Sequence, residues 1–169
     1  MRRVLVSLLA AAGLIVFGST AAFAKGHPVV NLTMHFSDVT QTFKDVNPCT
    51  GDPAKITITF SGVAHVTIQA DGTGHFTETD RGTFAFDTLV NGHGDGDVDA
   101  TGTFVNWDGG NGLFDRHGNP IGKGELGFTL NGSGTDLDTG ATFHFHNNAH
   151  AVFDQFGNPK VNFFDAHCA

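Results

Sequence analysis

Two histidines flank a phenylalanine in His144-Phe145-His146, and their spacing suits a metal site. In a β-strand, residues i and i+2 lie on one face about 7 Å apart, so both imidazoles can reach one ion. If the phenylalanine packs on the same side as the apolar residues of segment 126–130, Glu125 lies on the histidine face. One register then places Glu125 opposite His146. Two histidines and a carboxylate can bind zinc or a redox metal.

The same histidines have a simpler interpretation, because His144 and His146 lie opposite the phenylalanine face. In a half-buried strand that position is the solvated exterior, which they would share with Thr142. We therefore favour exterior histidines and expect no cofactor. A metal site formed by His144, His146 and Glu125 is the alternative.

Glu78 is the carboxylate with the most unusual position. It shares the parity of Phe76, so a regular strand would point it into the apolar interior. Burial there would raise its pKa and make it a candidate general acid or ligand anchor. A bulge at Thr73-Gly74 would reverse the phase and turn Glu78 outward. We favour the bulge and keep Glu78 as the catalytic candidate should the protein be an enzyme.

A third acidic pattern, Asp95-Gly96-Asp97-Val98-Asp99, begins like a calcium-binding loop. An EF-hand requires glycine at its sixth position and glutamate at its twelfth, where this sequence has Ala100 and Asn106. Asp136 and Asp138 form a second acidic turn. We interpret both segments as solvated turns.

The segments that carry these residues alternate between apolar and polar side chains, as half-buried antiparallel strands do. After residue 24, no segment has apolar residues recurring every three and four positions, as a helix would. The clearest alternating segments are 30–36, 56–60, 64–68, 126–130 and 142–146. Turn sequences such as Asn91-Gly92 and Asn131-Gly132 separate them. We predict an all-β fold, a single antiparallel up-and-down β-barrel of about eight to ten strands, with a β-sandwich as the alternative.

The first 24 residues have the layout of a secretory signal peptide. A short basic start is followed by an apolar run that is too short to span a membrane, and Ala22-Phe23-Ala24 forms a small-x-small cleavage site. We predict a signal peptide over 1–24 and a secreted β-barrel domain over 25–169, located outside the cell or in the periplasm.

The charge of residues 25–169 limits the partners of the domain. Seven basic and 17 acidic residues give a net charge of −10 with neutral histidines, and the basic residues are scattered singly. A nucleic-acid partner is excluded because it requires a clustered basic face. We also expect no membrane association after signal cleavage. With one Trp and no Tyr, the composition disfavours a sugar-binding surface.

The two cysteines, Cys49 and Cys168, both lie in the exported part. An even number of cysteines in an oxidising compartment favours a disulfide. In the chain-entropy model, closing a loop of this length stabilises the fold by about 4–5 kcal/mol.

Three short motifs give a resemblance to a known group of proteins: Asn47-Pro48-Cys49-Thr50-Gly51, Gly102-Thr103-Phe104, and Cys168 near the end of the sequence. Over most of residues 45–168, the chain resembles small secreted β-barrel proteins of actinobacteria that have no assigned function. The resemblance implies a common barrel held by one disulfide. It transfers no catalytic residues.

Three functional hypotheses follow. The favoured one is a non-enzymatic secreted barrel that binds a small apolar ligand or acts as an interaction module, since the 15 phenylalanines of residues 25–169 can line a cavity. The second is a barrel cyclase or isomerase that uses Glu78 as acid or base. The third is a metal-binding protein that uses His144, His146 and Glu125.

Overall fold

The computed structural model describes residues 30–69, 72–114, 120–156 and 158–169. The predicted signal peptide and the first residues after it lie outside these ranges. The described residues form seven strands: β1 (Val30–Val46), β2 (Pro53–Ile68), β3 (Thr73–Thr88), β4 (Ala100–Phe114), β5 (Pro120–Asp136), β6 (Thr142–Phe153) and β7 (Pro159–Cys168).

The strands form one sheet in the order β1-β2-β3-β4-β5-β6-β7, and every neighbouring pair is antiparallel. The predicted all-β, up-and-down architecture is thereby confirmed. Among the described residues, no helix has the length and apolar character of a membrane span.

The described part of the chain has seven strands, fewer than the predicted eight to ten, because the strands are long. Segments 56–60 and 64–68 were expected as separate strands but belong to one strand, β2. Gly62 lies between them and pairs with Asp80 without a break in register. The alternation therefore continues in phase through the whole strand.

The strand β1 contains a bulge that reverses its phase. Phe36 pairs with Gly62 and Val39 with Phe60, so two residues of β1 oppose one residue of β2. Asp38 has a positive φ of 54°, and its backbone N–H donates to the Ser61 hydroxyl. The bulge keeps both Phe36 and Phe43 on the apolar side of the sheet, although they have different parity.

The predicted disulfide is confirmed. Cys49, in the turn after β1, is bonded to Cys168 at the end of β7, and their Cα atoms are 5.2 Å apart. The bond joins the two outer strands of the sheet at one end, which we call the disulfide end. In the described residues β1 pairs only with β2, and β7 only with β6.

One face of the sheet, which we call the inner face, carries the core. Its buried cluster lies toward the disulfide end and is mostly aromatic; Phe84 contacts Phe145 edge-on at 5.5 Å between ring centroids. The larger members of this cluster are Ile56, Phe60, Phe84, Phe86, Phe104 and Phe145.

Gly102 has a packing role on the inner face. A Cβ there would overlap the Phe84 ring and the Ser133 carbonyl. We expect Gly102→Ala to lower the free energy of unfolding by about 1–3 kcal/mol through overpacking, measured by urea denaturation. Gly127→Ala is the matched control, because the nearest atom to its Cβ, the Ala149 carbonyl oxygen, is 3.4 Å away. Equal effects of the two substitutions would contradict this role.

Candidate functional site

Three carboxyl side chains are buried on the inner face, at the border of the aromatic core. Glu78, Asp80 and Asp108 are only 8%, 6% and 7% exposed. Glu78 of β3 lies directly opposite Asp108 of β4, and Asp80 lies opposite Asn106. We call the three carboxyl groups the acid cluster. Regular period-two geometry on two adjacent strands brings them together.

The prediction of a bulge at Thr73-Gly74 is wrong, because the strand is regular there. The strand β3 pairs with β2 and β4 from its first residues without a register shift, and Gly74 lies opposite both Ile68 and Gly112. The phase is therefore kept, and Glu78 faces inward with Phe76. Its surroundings differ from the expected apolar interior, because two further carboxyl groups lie beside it.

Burial raises the pKa of all three carboxyl groups, and the charges of neighbouring carboxylates raise the pKa of Glu78 and Asp108 further. Loss of solvent, followed by the charges of Asp108 and Asp80, raises the pKa of Glu78 to about 7. Loss of solvent and the charge of Asp80 raise the pKa of Asp108 to about 7, against a lowering hydrogen bond from Asn106. The pKa of Asp80 is also raised by burial. Near neutral pH, Glu78 and Asp108 are therefore partly protonated, whereas ordinary carboxyl groups are fully ionised.

Asn106 is the hydrogen-bond donor to the cluster. Its side-chain nitrogen lies 3.1 Å from Asp80 Oδ2 and 3.5 Å from Asp108 Oδ2. One amide group therefore serves two carboxyl groups. It lowers the pKa of both, in opposition to burial.

Two buried oxygen atoms on the inner face have no hydrogen-bond partner in the described part of the chain. They are Asp108 Oδ1 and Asn147 Oδ1, and both residues are 7% exposed. Asn147 is separated from Asn106 by one paired residue, Leu130 of β5. A buried hydrogen-bond acceptor without a donor costs about 1–3 kcal/mol of folding free energy. Both positions therefore favour a ligand group that donates a hydrogen bond or carries a positive charge.

The inner face reaches solvent beside the cluster. Leu32 of β1 lies opposite buried Val66, and Phe164 of β7 lies opposite buried Ala149, so both have inner-face positions. They are nevertheless 39% and 41% exposed. The inner face is therefore accessible to solvent at these two positions, away from the disulfide end.

Sequence reasoning singled out Glu78 but missed Asp80 and Asp108. A signal was present, because Asp80 continues the parity of Phe76 and Glu78. Asp108 likewise continues the parity of Phe104. Their convergence depends on the register of β3 against β4, which alternation within one strand does not specify.

The predicted set of metal ligands does not assemble. His146 pairs with Asn131, and its Nδ1 lies 2.6 Å from Asn131 Oδ1, whereas Glu125 pairs with Val152. Glu125 instead contacts His150, with 3.5 Å between Oε2 and Nε2. His144 and His146 are exposed on the outer face, as the simpler interpretation expected. No three metal-ligating side chains in the described ranges are arranged to hold an ion.

The two acidic turns have local hydrogen bonds. Asp95 accepts the backbone N–H of Asp97, and Asp99 accepts that of Thr88. Asp136 accepts both the backbone N–H and the hydroxyl of Thr139, and the backbone bond is the main cause of its lowered pKa. These carboxylates organise turns.

Removing the donor to the acid cluster should destabilise the fold in a pH-dependent manner. We expect Asn106→Leu to lower the free energy of unfolding by about 1–3 kcal/mol near pH 8, where the carboxyl groups are ionised and lose their donor. The loss should shrink in acid, where protonated carboxyl groups can donate to each other. Chemical denaturation at both pH values measures this, with the exposed outer-face substitution Asn31→Leu as control. An equal loss at both pH values would contradict it.

Comparison with known protein families, with curated proteins and with solved structures finds no match for this chain.

Proposed function

We propose that this protein is a secreted, non-enzymatic binding protein whose sheet closes into an up-and-down barrel around a small amphipathic ligand. A cationic or hydrogen-donating head group of the ligand lies at the acid cluster, and its apolar part lies along the inner face. The unpartnered buried oxygen of Asp108, among carboxyl groups with raised pKa, is the observation that carries this proposal.

The electrostatics of the cluster favour a cation. Three carboxyl groups that share a buried site cannot all ionise without strong repulsion, and Asn106 supplies only one donor group. An ammonium group has three donors and no acceptor, so it can bond Asp108 Oδ1 while its charge offsets that repulsion. A carboxylate ligand would add to the repulsion.

The inner face beside the cluster suits the apolar part of such a ligand. Across the sheet, the row that contains Glu78 and Asp108 continues through Phe128, Ala149 and Phe164. Phe128 and Ala149 are buried, while Phe164 is partly exposed to solvent. Sites for small molecules commonly combine such an apolar lining with a few convergent polar groups.

Matched probes test this assignment. Phenethylamine and phenylpropionic acid share an aromatic body and differ in the sign of the head-group charge. We expect the amine to bind at least about tenfold more tightly near pH 8, as measured by isothermal titration calorimetry. Its affinity should weaken as the pH falls through about 7, because the cluster takes up protons.

Asp108→Asn should remove most of the preference for the amine, because it removes a charge without changing the shape of the side chain. Asp138→Asn, in an exposed turn, is the matched control and should leave the preference intact. Similar affinities of the wild-type protein for the two probes would contradict the proposal.

A barrel isomerase or cyclase is the second candidate. It is favoured by one observation: Glu78 and Asp108 face each other, and both have a pKa of about 7, which suits proton exchange with a substrate at neutral pH. Recovery of a bound ligand in chemically altered form from the wild-type protein, but unaltered from Glu78→Gln, would favour this candidate over simple binding.

A further inference from the structure

The outer face of the sheet carries a groove with a floor of two glycines. Gly109 of β4 and Gly127 of β5 lie directly opposite each other, flanked by Thr77 on one side and His150 on the other. The groove has a volume of about 300 Å³. Glycine weakens the interior of a strand and often marks a place where another group approaches the backbone.

Trp107 forms one wall of this groove. Trp107 is 47% exposed, and its Cζ2 atom lies 3.2 Å from where a Cβ of Gly109 would be. The indole therefore leans over the glycine floor. The chain has no other Trp and no Tyr, so its single large amphipathic ring lies at the groove.

The opposite wall is formed by planar polar side chains. Asn111 donates to Glu125 Oε1 at 2.7 Å, and Glu125 Oε2 lies 3.5 Å from His150 Nε2. These three side chains contact one another in a row and offer both donors and acceptors at the groove. His75 also lines the groove, across from Asn111.

A second hollow of about 720 Å³ adjoins the groove and shares Asn111 and Glu125 with it. Its other lining residues include Lys123, Lys160 and Phe156, and Phe156 is 73% exposed. Phe156 belongs to the turn after β6. The two hollows together offer an aromatic ring at each end and hydrogen-bonding groups between them.

We propose that this outer face is a carbohydrate-binding site, in which one pyranose ring stacks on the exposed indole of Trp107 and lies over Gly127. The next ring of an oligosaccharide extends into the adjoining hollow. A sugar ring presents an apolar C–H face to an aromatic plane and a rim of hydroxyl groups that both donate and accept. Aromatic stacking and planar polar side chains are the complementary chemistry.

This site is independent of the proposed ligand site on the inner face, because the lining residues that carry it, such as Trp107 and Glu125, occupy outer-face positions. Scarcity of Trp and Tyr disfavours an extended sugar-binding surface. It does not disfavour a single subsite that contains the only Trp.

The single Trp makes the experiment specific. With no other Trp and no Tyr, intrinsic emission excited at the indole band reports on Trp107 alone. The probes are glucose, galactose and N-acetylglucosamine, together with cellotetraose and chitotetraose, each titrated to millimolar concentration. We expect a saturable change in Trp107 emission with at least one sugar, and tighter binding of the tetramer than of its monomer.

Gly127→Val should abolish the response by filling the floor of the groove. Its Cβ would meet only ordinary contacts, and valine favours strands, so the fold should persist. Thr83→Val, exposed on the outer face toward the disulfide end, is the matched control. Trp107→Leu should lose sugar binding in calorimetry while the inner-face variants of the acid cluster retain it.

Two results would overturn the proposal. One is the absence of any emission change across the whole panel. The other is unchanged sugar binding by Gly127→Val. A concentration-dependent shift in Trp107 emission without a sugar response would assign the groove to self-association instead.

Discussion

Replacing Glu78 and Asp108 together by glutamine and asparagine is expected to stabilise the protein near pH 8 and to remove most of the pH dependence of its stability. In the wild-type protein, the free energy of unfolding should be highest in mild acid. As the pH rises from about 4 to about 8, it should fall by about 3 to 8 kcal/mol; the lower figure corresponds to ionisation of one of the two carboxyl groups and the upper figure to ionisation of both.

The direction of this effect follows from the raised pKa values. In the unfolded chain, Glu78 and Asp108 release their protons near the ordinary values of 4.5 and 3.8, whereas in the folded protein they keep them to about 7. The folded state therefore binds more protons between these limits, and raising the pH through that window favours unfolding. The amide variants have no proton to release and no charge to bury.

Chemical denaturation at several pH values measures this prediction. The matched control removes two carboxylates from exposed turns, with Asp52→Asn and Asp138→Asn, and should leave the pH profile close to that of the wild type. A wild-type protein that becomes more stable between about pH 4 and pH 8 would contradict the assignment of the acid cluster as buried and repulsive.

Removing the disulfide should have the second large effect. The bond closes a sequence separation of 119 residues, and Cys49→Ala with Cys168→Ala is expected to lower the free energy of unfolding by about 4–5 kcal/mol. In the described residues, no strand pairing joins β1 to β7, so this bond is the main constraint between the two outer strands. Its loss should free both of them at the disulfide end.

Thermal unfolding and amide hydrogen exchange measure this effect. Faster exchange should be concentrated in β1 and β7, while the central strands β3 to β5 keep their protection. Reduction of the wild-type protein should reproduce the behaviour of the double variant. A loss below about 1 kcal/mol, or uniform loss of protection across all strands, would contradict this account of the fold.

The sequence predicted the strands well because alternation is a short-range pattern. It predicted the disulfide because the chain has only two cysteines. The side of β2 that carries Ile56, Phe60 and Val66 follows directly from their shared parity. The face that Glu78 occupies could not be predicted in this way, because Gly74 is compatible with both a bulge and a regular strand. Pairing on both sides of β3 decided between them.

The predicted position of Glu125 failed for a related reason. The hairpin between β5 and β6 is paired as far as Thr135 and Thr142, and Asp136 closes the short turn with hydrogen bonds from Thr139. That turn fixes the register and places Asn131 opposite His146. Alternation indicates which face a residue occupies, but the turn determines its partner across the sheet.

Each strand pairs only with its neighbours in sequence, so the strands of the described sheet can pair in the order in which they are synthesised. Every hairpin can form as soon as its second strand is available, so the sheet can grow progressively from β1 during synthesis. Cys49 emerges early, but its partner Cys168 ends the last strand. Oxidation of this pair therefore marks completion of the sheet, and a premature bond to another molecule is the characteristic error that an oxidative folding pathway for this chain must avoid.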